Sequence, residues 1–185
     1  NSGEIYANAV GDAYGVNLGT VGGINNSGSI TVQGGGANVM GIRVVSGNNV
    51  SNAGEISVSS ERGTGIGIYM RADAYNITNT GTIDADIAIN ASGHFSYASG
   101  YLLNTGTIRG DVLLGGAPDL VLNEGVLYGP VHMGQGDDQF DGSAGAQGGE
   151  IHGGQGQDHI VGGIGIDLLF GDEGSDTLWG WVMIS

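Results

Sequence analysis

The sequence predicts an all-β fold: a right-handed parallel β-helix, or β-solenoid, continuing into a parallel β-roll. Three observations carry this expectation. An Asn-x-Gly-x-(Ile/Leu/Val) motif returns six times at near-constant intervals, and a Gly/Asp-rich nonapeptide returns in tandem towards the C-terminus. No stretch has the 3.6-residue apolar period and caps of a helix.

Composition agrees with a stacked, turn-rich chain. The 185 residues are 39% hydrophobic with a mean hydropathy near zero, which suits one folded unit with a narrow core. Glycine fills 40 positions and proline two, against a usual glycine share of ~7%, so the glycine is neither collagen-like nor a Pro/Gly linker and must serve turns. Cysteine is absent, so no disulfide braces the fold, and a metal is the alternative staple. No apolar run approaches ~18 residues, so no transmembrane segment is expected. The chain starts at Asn1 without Met and stops abruptly at "WGWVMIS", and it reads as a piece of something longer.

Charge divides the chain. Residues 1–110 carry seven acids against Arg43, Arg62, Arg71 and Arg109, a net of −3, whereas residues 111–185 carry twelve acids and no Lys or Arg, a net of −12. A field of that sign repels phosphate backbones, which excludes nucleic acid and anionic lipid as partners and favours cations.

The first repeat occurs as "NSGEI" at Asn1, "NSGSI" at Asn26, "NAGEI" at Asn52, "NTGTI" at Asn79 and again at Asn104, and "NEGVL" at Asn123. Its spacings are 25, 26, 27, 25 and 19 residues. Short apolar segments precede the later asparagines ("NITN", "YLLN", "LVLN"), and alternating strands such as "EISVS" follow the glycines. A third strand lies between them in several coils: "YGVNL", "MGIRVV", "GIGIYM" and "DIAIN". Three short strands per ~25 residues describe one coil of a parallel solenoid, in which each strand pairs with its copies above and below. A side-chain amide at the same corner of every coil can bond its neighbour's amide and tolerates a left-handed backbone, and the glycine two residues later is expected to supply positive φ.

The second repeat aligns as Gly-Gly-x-Gly-x-Asp-x-apolar-x. "GGQGQDHIV" (153–161) and "GGIGIDLLF" (162–170) match throughout, "GDEGSDTLW" (171–179) departs at Asp172, and "MGQGDDQFD" (133–141) lacks the first glycine. "LGGAPDLVL" (114–122) is an earlier relic that keeps Gly115, Asp119 and Val121. The segment 106–123 overlays 125–142 with Ile108 on Leu127, Val112 on Val131, Gly115 on Gly134 and Asp119 on Asp138. The nonapeptides are therefore expected to grow out of the helix in register. The organisation expected is 1–110 as β-helix coils of about 25 residues and 111–185 as an acidic roll, with "GSAGAQGGEIH" (142–152) an irregular coil in one continuous solenoid.

These nonapeptides resemble the calcium-binding repeat of the RTX, or hemolysin-type, family over residues 133–180. Joined to Asn-x-Gly coils, they make the chain similar to passenger regions of large bacterial surface proteins, autotransporter-type and RTX adhesins among them. The resemblance implies an RTX-type parallel β-roll, Ca2+ as the bound ion, and export as an unfolded chain that folds outside the cell. It places the protein as secreted or on the bacterial cell surface, with host or surface glycans or proteins as unidentified partners.

The chemistry agrees with the resemblance. Calcium takes six to eight hard oxygens in flexible geometry. A Gly-rich turn exposes several carbonyls and its Asp adds a carboxylate, so one turn supplies half a shell. Two nonapeptides close one coil, and the next turn on the same side comes 18 residues later, the relation of Asp158 to Asp176. The candidate ligating turns are Gly134, Gly136 and Asp138; Gly153, Gly154, Gly156 and Asp158; Gly162, Gly163, Gly165 and Asp167; and Gly171, Gly174 and Asp176. Asp167 is expected to need a partner turn at residue 185, and Ile160, Leu169 and Leu178 are expected to point inward.

Two other functions compete with a calcium-binding extracellular scaffold that is not itself an enzyme. A β-helix polysaccharide lyase or C5-epimerase module could draw on Asp84, Asp86, Arg62, Arg71, His94 and Tyr97. Deprotonating a uronic acid, however, needs a base plus clustered cations, and the four arginines are scattered. An ice- or surface-binding solenoid would need a long Thr row, but Thr80, Thr82, Thr105 and Thr107 span two coils only. His132, His152 and His159 fit no common metal-ligand spacing and read as surface residues. The sequons at Asn49, Asn76 and Asn90 matter only in a eukaryotic secretory setting.

Overall fold

A computed structural model of the chain describes residues 1–19, 22–45, 49–71, 74–93 and 99–180. Every pairing among the described strands is parallel. The strands form one 8-stranded and one 13-stranded sheet that both run from the first coil to the last. This all-β stack with a repeating asparagine ladder is the arrangement typical of a right-handed parallel β-helix and β-roll.

Three long apolar columns run through the interior, each built from one position per coil. Ile30, Ile56, Ile83, Ile108 and Leu127 lie in register on the strands that follow the Asn-x-Gly corners. Ile42, Ile68, Ile89, Val112, Val131 and Ile151 form the second column. Val50, Ile77, Leu102, Val121, Phe140 and Ile160 form the third, on the 8-stranded sheet. All are buried. The alternation explains the choice of face: in Glu55–Ser60, Ile56 and Val58 are buried while Glu55 and Ser59 are exposed. Leu169 is only partly packed, and Leu178, expected inside, is 42% exposed because it continues the third column in the last described coil, with no described rung above it.

The asparagine ladder runs through all six corners. Each Nδ2 donates to the next Oδ1, from Asn1 to Asn26 at 2.9 Å and then through Asn52, Asn79, Asn104 and Asn123 at 2.8 Å per step. Asn26, Asn52, Asn79, Asn104 and Asn123 are essentially inaccessible, so these amides satisfy one another where water cannot.

The left-handed backbone expected at these corners is not there. Among the described residues Asp172 is the only non-glycine with positive φ, and Gly28, Gly54, Gly81, Gly106 and Gly125 do not have positive φ. Their glycine answers a steric demand instead. A Cβ on Gly54, Gly81, Gly106 or Gly125 would collide with the carbonyl oxygen of the glycine one coil earlier.

The coils shorten in two steps. The bend spanned by 58–65 in one coil is answered in the next by Ala85 and Asp86 alone, so a single strand, Thr82–Asn90, covers two former faces. Asp86 seals the lost bend by accepting the Gly65 N–H at 2.8 Å. One coil later 114–119 stands where 91–100 joined the strands before, and the repeat falls to 19 residues. The register Ile108↔Leu127 and Val112↔Val131 is the one the sequence overlay gives.

Replacing Asn79 with Ala should cost roughly 2 kcal/mol, since it leaves the Asn104 acceptor buried and unpaired at about 1–3 kcal/mol, while Asn52 Nδ2 keeps the Gly54 and Thr82 carbonyls. Chemical denaturation checks this; a loss below about 1 kcal/mol would mean that the ladder is not a cooperative brace.

Candidate calcium site

The residue that enters each strand of the 8-stranded sheet forms a second corner column. From the middle of the chain onward it reads Tyr75, Gly100, Asp119, Asp138, Asp158 and Asp176. Backbone amides link it: Gly100 N–H donates to Asp119 Oδ1 at 2.7 Å, Asp119 to Asp138 at 2.7 Å, Asp138 to Asp158 at 2.9 Å and Asp158 to Asp176 at 3.0 Å. The steps are 19, 19, 20 and 18 residues, one shortened coil each. Tyr75 roofs the column. Its ring occupies the space where a Gly100 side chain would stand, and burial, with the Asp119 charge adding to it, pushes its hydroxyl well above the ordinary tyrosine range.

Each Oδ1 therefore has a backbone donor. The second oxygens differ: Oδ2 of Asp138 and of Asp158 is buried without a partner. Asp119, Asp138 and Asp158 are all nearly inaccessible. Stacked carboxylates so placed repel one another and are poorly solvated. Burial pushes the Asp138 carboxyl up to about 7; Asp119, Asp158 and Asp137 add to that, while the Asp119 amide works against it. Asp158 is raised as well, first by burial and then by Asp176, Asp137 and Asp172, with the Asp138 amide opposing.

The turns around this column present oxygen to oxygen. Gly134 pairs with Gly154 and Gly156 with Gly174 in register, so successive turns lie directly over one another. Gly156 and Gly174 have φ of 141° and 147°, which an L side chain does not adopt, and a Cβ on Gly174 would collide with the Gly156 carbonyl oxygen. A Cβ on Gly153 would fall on Asp158 Oδ2 and 2.9 Å from the Gly171 carbonyl oxygen. A carboxylate oxygen of one turn and a carbonyl of the turn 18 residues on thus converge beside the same atom, a donor set that suits a hard cation. Among the described residues no three His, Cys, Asp or Glu side chains form a metal cluster, so such a shell draws on carbonyls.

Residues 152–181 match the family of the RTX calcium-binding nonapeptide repeat (4 copies). The C-terminal region contains an RTX-type calcium-binding repeat. The match spans Asp158, Asp167 and Asp176 and stops short of Gly134, Gly136 and Asp138, whose turn the structure stacks on the same column. No curated protein and no solved structure gives a significant match to the chain. The chain is a β-helix and β-roll carrying a calcium-binding repeat module.

The turns built on Asp138, Asp158 and Asp176 share one edge of the RTX-type roll, whereas Gly162, Gly163, Gly165 and Asp167 lie on the opposite edge. Asp119 lies outside the set of candidate turns, although its 19-residue distance from Asp138 carries the signal in the sequence. Asp172, which stands where the repeat has glycine, has partners that only the structure shows. That residue has φ 63° and its Oδ2 lies 3.0 Å from His152 Nδ1, while Glu150 Oε2 lies 3.2 Å from Nε2. His152 in turn stacks between His132 and Phe170, with ring centroids 4.9 and 4.7 Å away. Of the residues considered for a sugar-acid site, Arg62, Arg71 and Asp84 are exposed and Asp86 holds Gly65; His94 and Tyr97 lie outside the described residues.

The raised carboxyls set the pH response. Asp138 keeps its proton to about pH 7 when folded and to about pH 4 when unfolded. Between those values the folded state binds more protons, so without calcium stability falls as pH rises through that window. With chelator present, the roll should keep structure near pH 5, where the acids are protonated, and lose it by pH 8; with saturating calcium, which displaces the proton, it should stay folded across that range. Asp138→Asn should flatten most of the chelator profile, and a flat wild-type profile would refute a buried acid column.

Proposed function

We propose that the chain is a calcium-dependent extracellular scaffold segment of a bacterial adhesin-like or RTX-type surface protein, a stalk that holds other parts in place and carries out no catalysis itself. The buried aspartate column with partnerless Oδ2 atoms carries this proposal, because it gives the roll a reason to fold only where calcium is abundant. RTX-type repeats are typical of secreted and surface proteins of bacteria, and cysteine-free construction is compatible with that setting. The ligands are the turns Gly134–Asp138, Gly153–Asp158 and Gly171–Asp176 on one edge and Gly162–Asp167 on the other. The β-helix and the roll act as one rod, divided near residue 110 by the change in coil length and charge. Asp86 supports a frame more than a sugar-binding cleft, since its carboxylate is engaged by Gly65 N–H. No described helix is long and apolar enough to cross a membrane.

Limited proteolysis and circular dichroism of the full chain test the proposal. With chelator, cleavage should concentrate within 133–180 while 1–110 survives. Calcium should protect with a midpoint of about 10⁻⁴ to 10⁻³ M, the range of extracellular modules, and magnesium should not substitute because it demands a tighter octahedron. Asp158→Asn and Asp176→Asn should each shift that midpoint upward by roughly tenfold or more. Protection that ignores calcium would defeat the metal-dependent reading, and turnover of alginate or pectin would defeat the scaffold reading.

A further inference from the structure

The first apolar column ends in an anomaly. After Ile30, Ile56, Ile83, Ile108 and Leu127, the next residue in register is Gln147. The residue is 9% exposed, Nε2 makes one long bond to the Gly142 carbonyl at 3.4 Å, and Oε1 is buried with no partner. A primary amide at an aliphatic core position is costly unless something engages it.

What lies against it is the turn of Asp167. Gly142-Ser143-Ala144-Gly145-Ala146-Gln147 stacks beneath Gly162-Gly163-Ile164-Gly165-Ile166-Asp167, with Ile164 N–H donating to the Gly145 carbonyl at 3.0 Å. The two segments share glycine at the first and fourth places, and the amide stands where the repeat has its acid. A Cβ on Gly163 would fall among Gln147 Oε1 and the carbonyl oxygens of Gly145 and Gly142. In the upper turn, Asp167 Oδ1 accepts Gly163 N–H at 3.1 Å, and Oδ2 is buried without a partner. A groove of about 270 Å³, bordered by Ser143, Gly162, Gly163 and Trp179, opens beside the junction.

We propose that this edge holds a cation between an amide half-shell, made by Gln147 Oε1 with the Gly142 and Gly145 carbonyls, and the Asp167 half-shell. Asp167 then has its partner turn one coil earlier in the chain, not only at residue 185, which is outside the described residues. The site lies across the roll from the aspartate column, and three of its contributors precede the matched repeat segment. Calcium accepts amide, carbonyl and carboxylate oxygen alike, and the groove leaves room for the waters that complete its shell. With one carboxylate, it binds more weakly than the column. The inference rests on the calcium reading for the identity of the ion, and on Gln147 for its place.

Calorimetric titration of the full chain with calcium, together with an ion count by native mass spectrometry, tests it on wild type, Gln147→Leu, Gln147→Glu and Asp158→Asn. Gln147→Leu extends the aliphatic column and should fold in saturating calcium with one ion fewer. Gln147→Glu should keep the count and bind that ion about tenfold more tightly, as ligand charge tunes such sites. An unchanged count in Gln147→Leu overturns the site. So does a Gln147→Glu protein that loses calcium-saturated stability without gaining affinity, since the amide would then be a donor to the carbonyls. If Asp158→Asn lowers the count while Gln147→Leu does not, this inference alone falls; a wild type that binds no calcium removes both.

Discussion

Parallel stacking in register is the constraint on which the rest of the molecule depends. Strands one coil apart lie about 4.8 Å from each other, so each side chain meets the residue at its own position in the next coil. Like is therefore set upon like, and the chemistry of each column follows from whether the residue tolerates its own kind. Isoleucine on isoleucine gives a dry core. Asparagine on asparagine gives a ladder, because an amide carries both donor and acceptor. Aspartate on aspartate has no such complementarity. Backbone amides satisfy one oxygen of each carboxylate, and the second oxygens of Asp138 and Asp158 are left buried without a donor, so the charged column is unfavourable by itself.

The change from helix to roll follows from the same constraint. A coil can lose a bend only if the strands on either side stay in register with the longer coil below. The strand Thr82–Asn90 achieves this by pairing with Glu55–Ser60 at one end and with Gly65–Met70 at the other, with Asp86 closing over Gly65. The acid column can begin only where something shields its end from the apolar coils, and the Tyr75 ring seated over Gly100 does so. On the outer surface, His132, His152 and Phe170 stack for the reason the interior does, and His152 joins Glu150 to Asp172 at the one turn where an acid occupies a glycine place.

The calcium-binding repeat is thus a matter of geometry as much as of motif. The repeat match covers 152–181, yet the column it belongs to reaches back to Asp119, through a turn whose sequence has drifted from the repeat. The two edges of the roll differ in kind. One continues as a stack of acids, while the other sets the neutral amide of Gln147 beneath the turn that carries Asp167.

The sequence by itself determined the period, the class and the register. Asn-x-Gly spacing fixed the coil length, alternating Ile and Val fixed the inward face, and the overlay of 106–123 on 125–142 is the pairing the strands adopt. Those features repeat along the chain, and a repeat is visible without coordinates. The tertiary structure decided what depends on contact between coils. It gave Gly54 and Gly81 their role, which is to let a carbonyl pass rather than to turn the backbone left. It left Leu178 uncovered in the last described coil and enlisted Asp119 in the acid column. It also set Gln147 under Asp167, because a residue's neighbour in a solenoid is one coil away, and only the stacked backbone says which atoms of that neighbour face it without a partner.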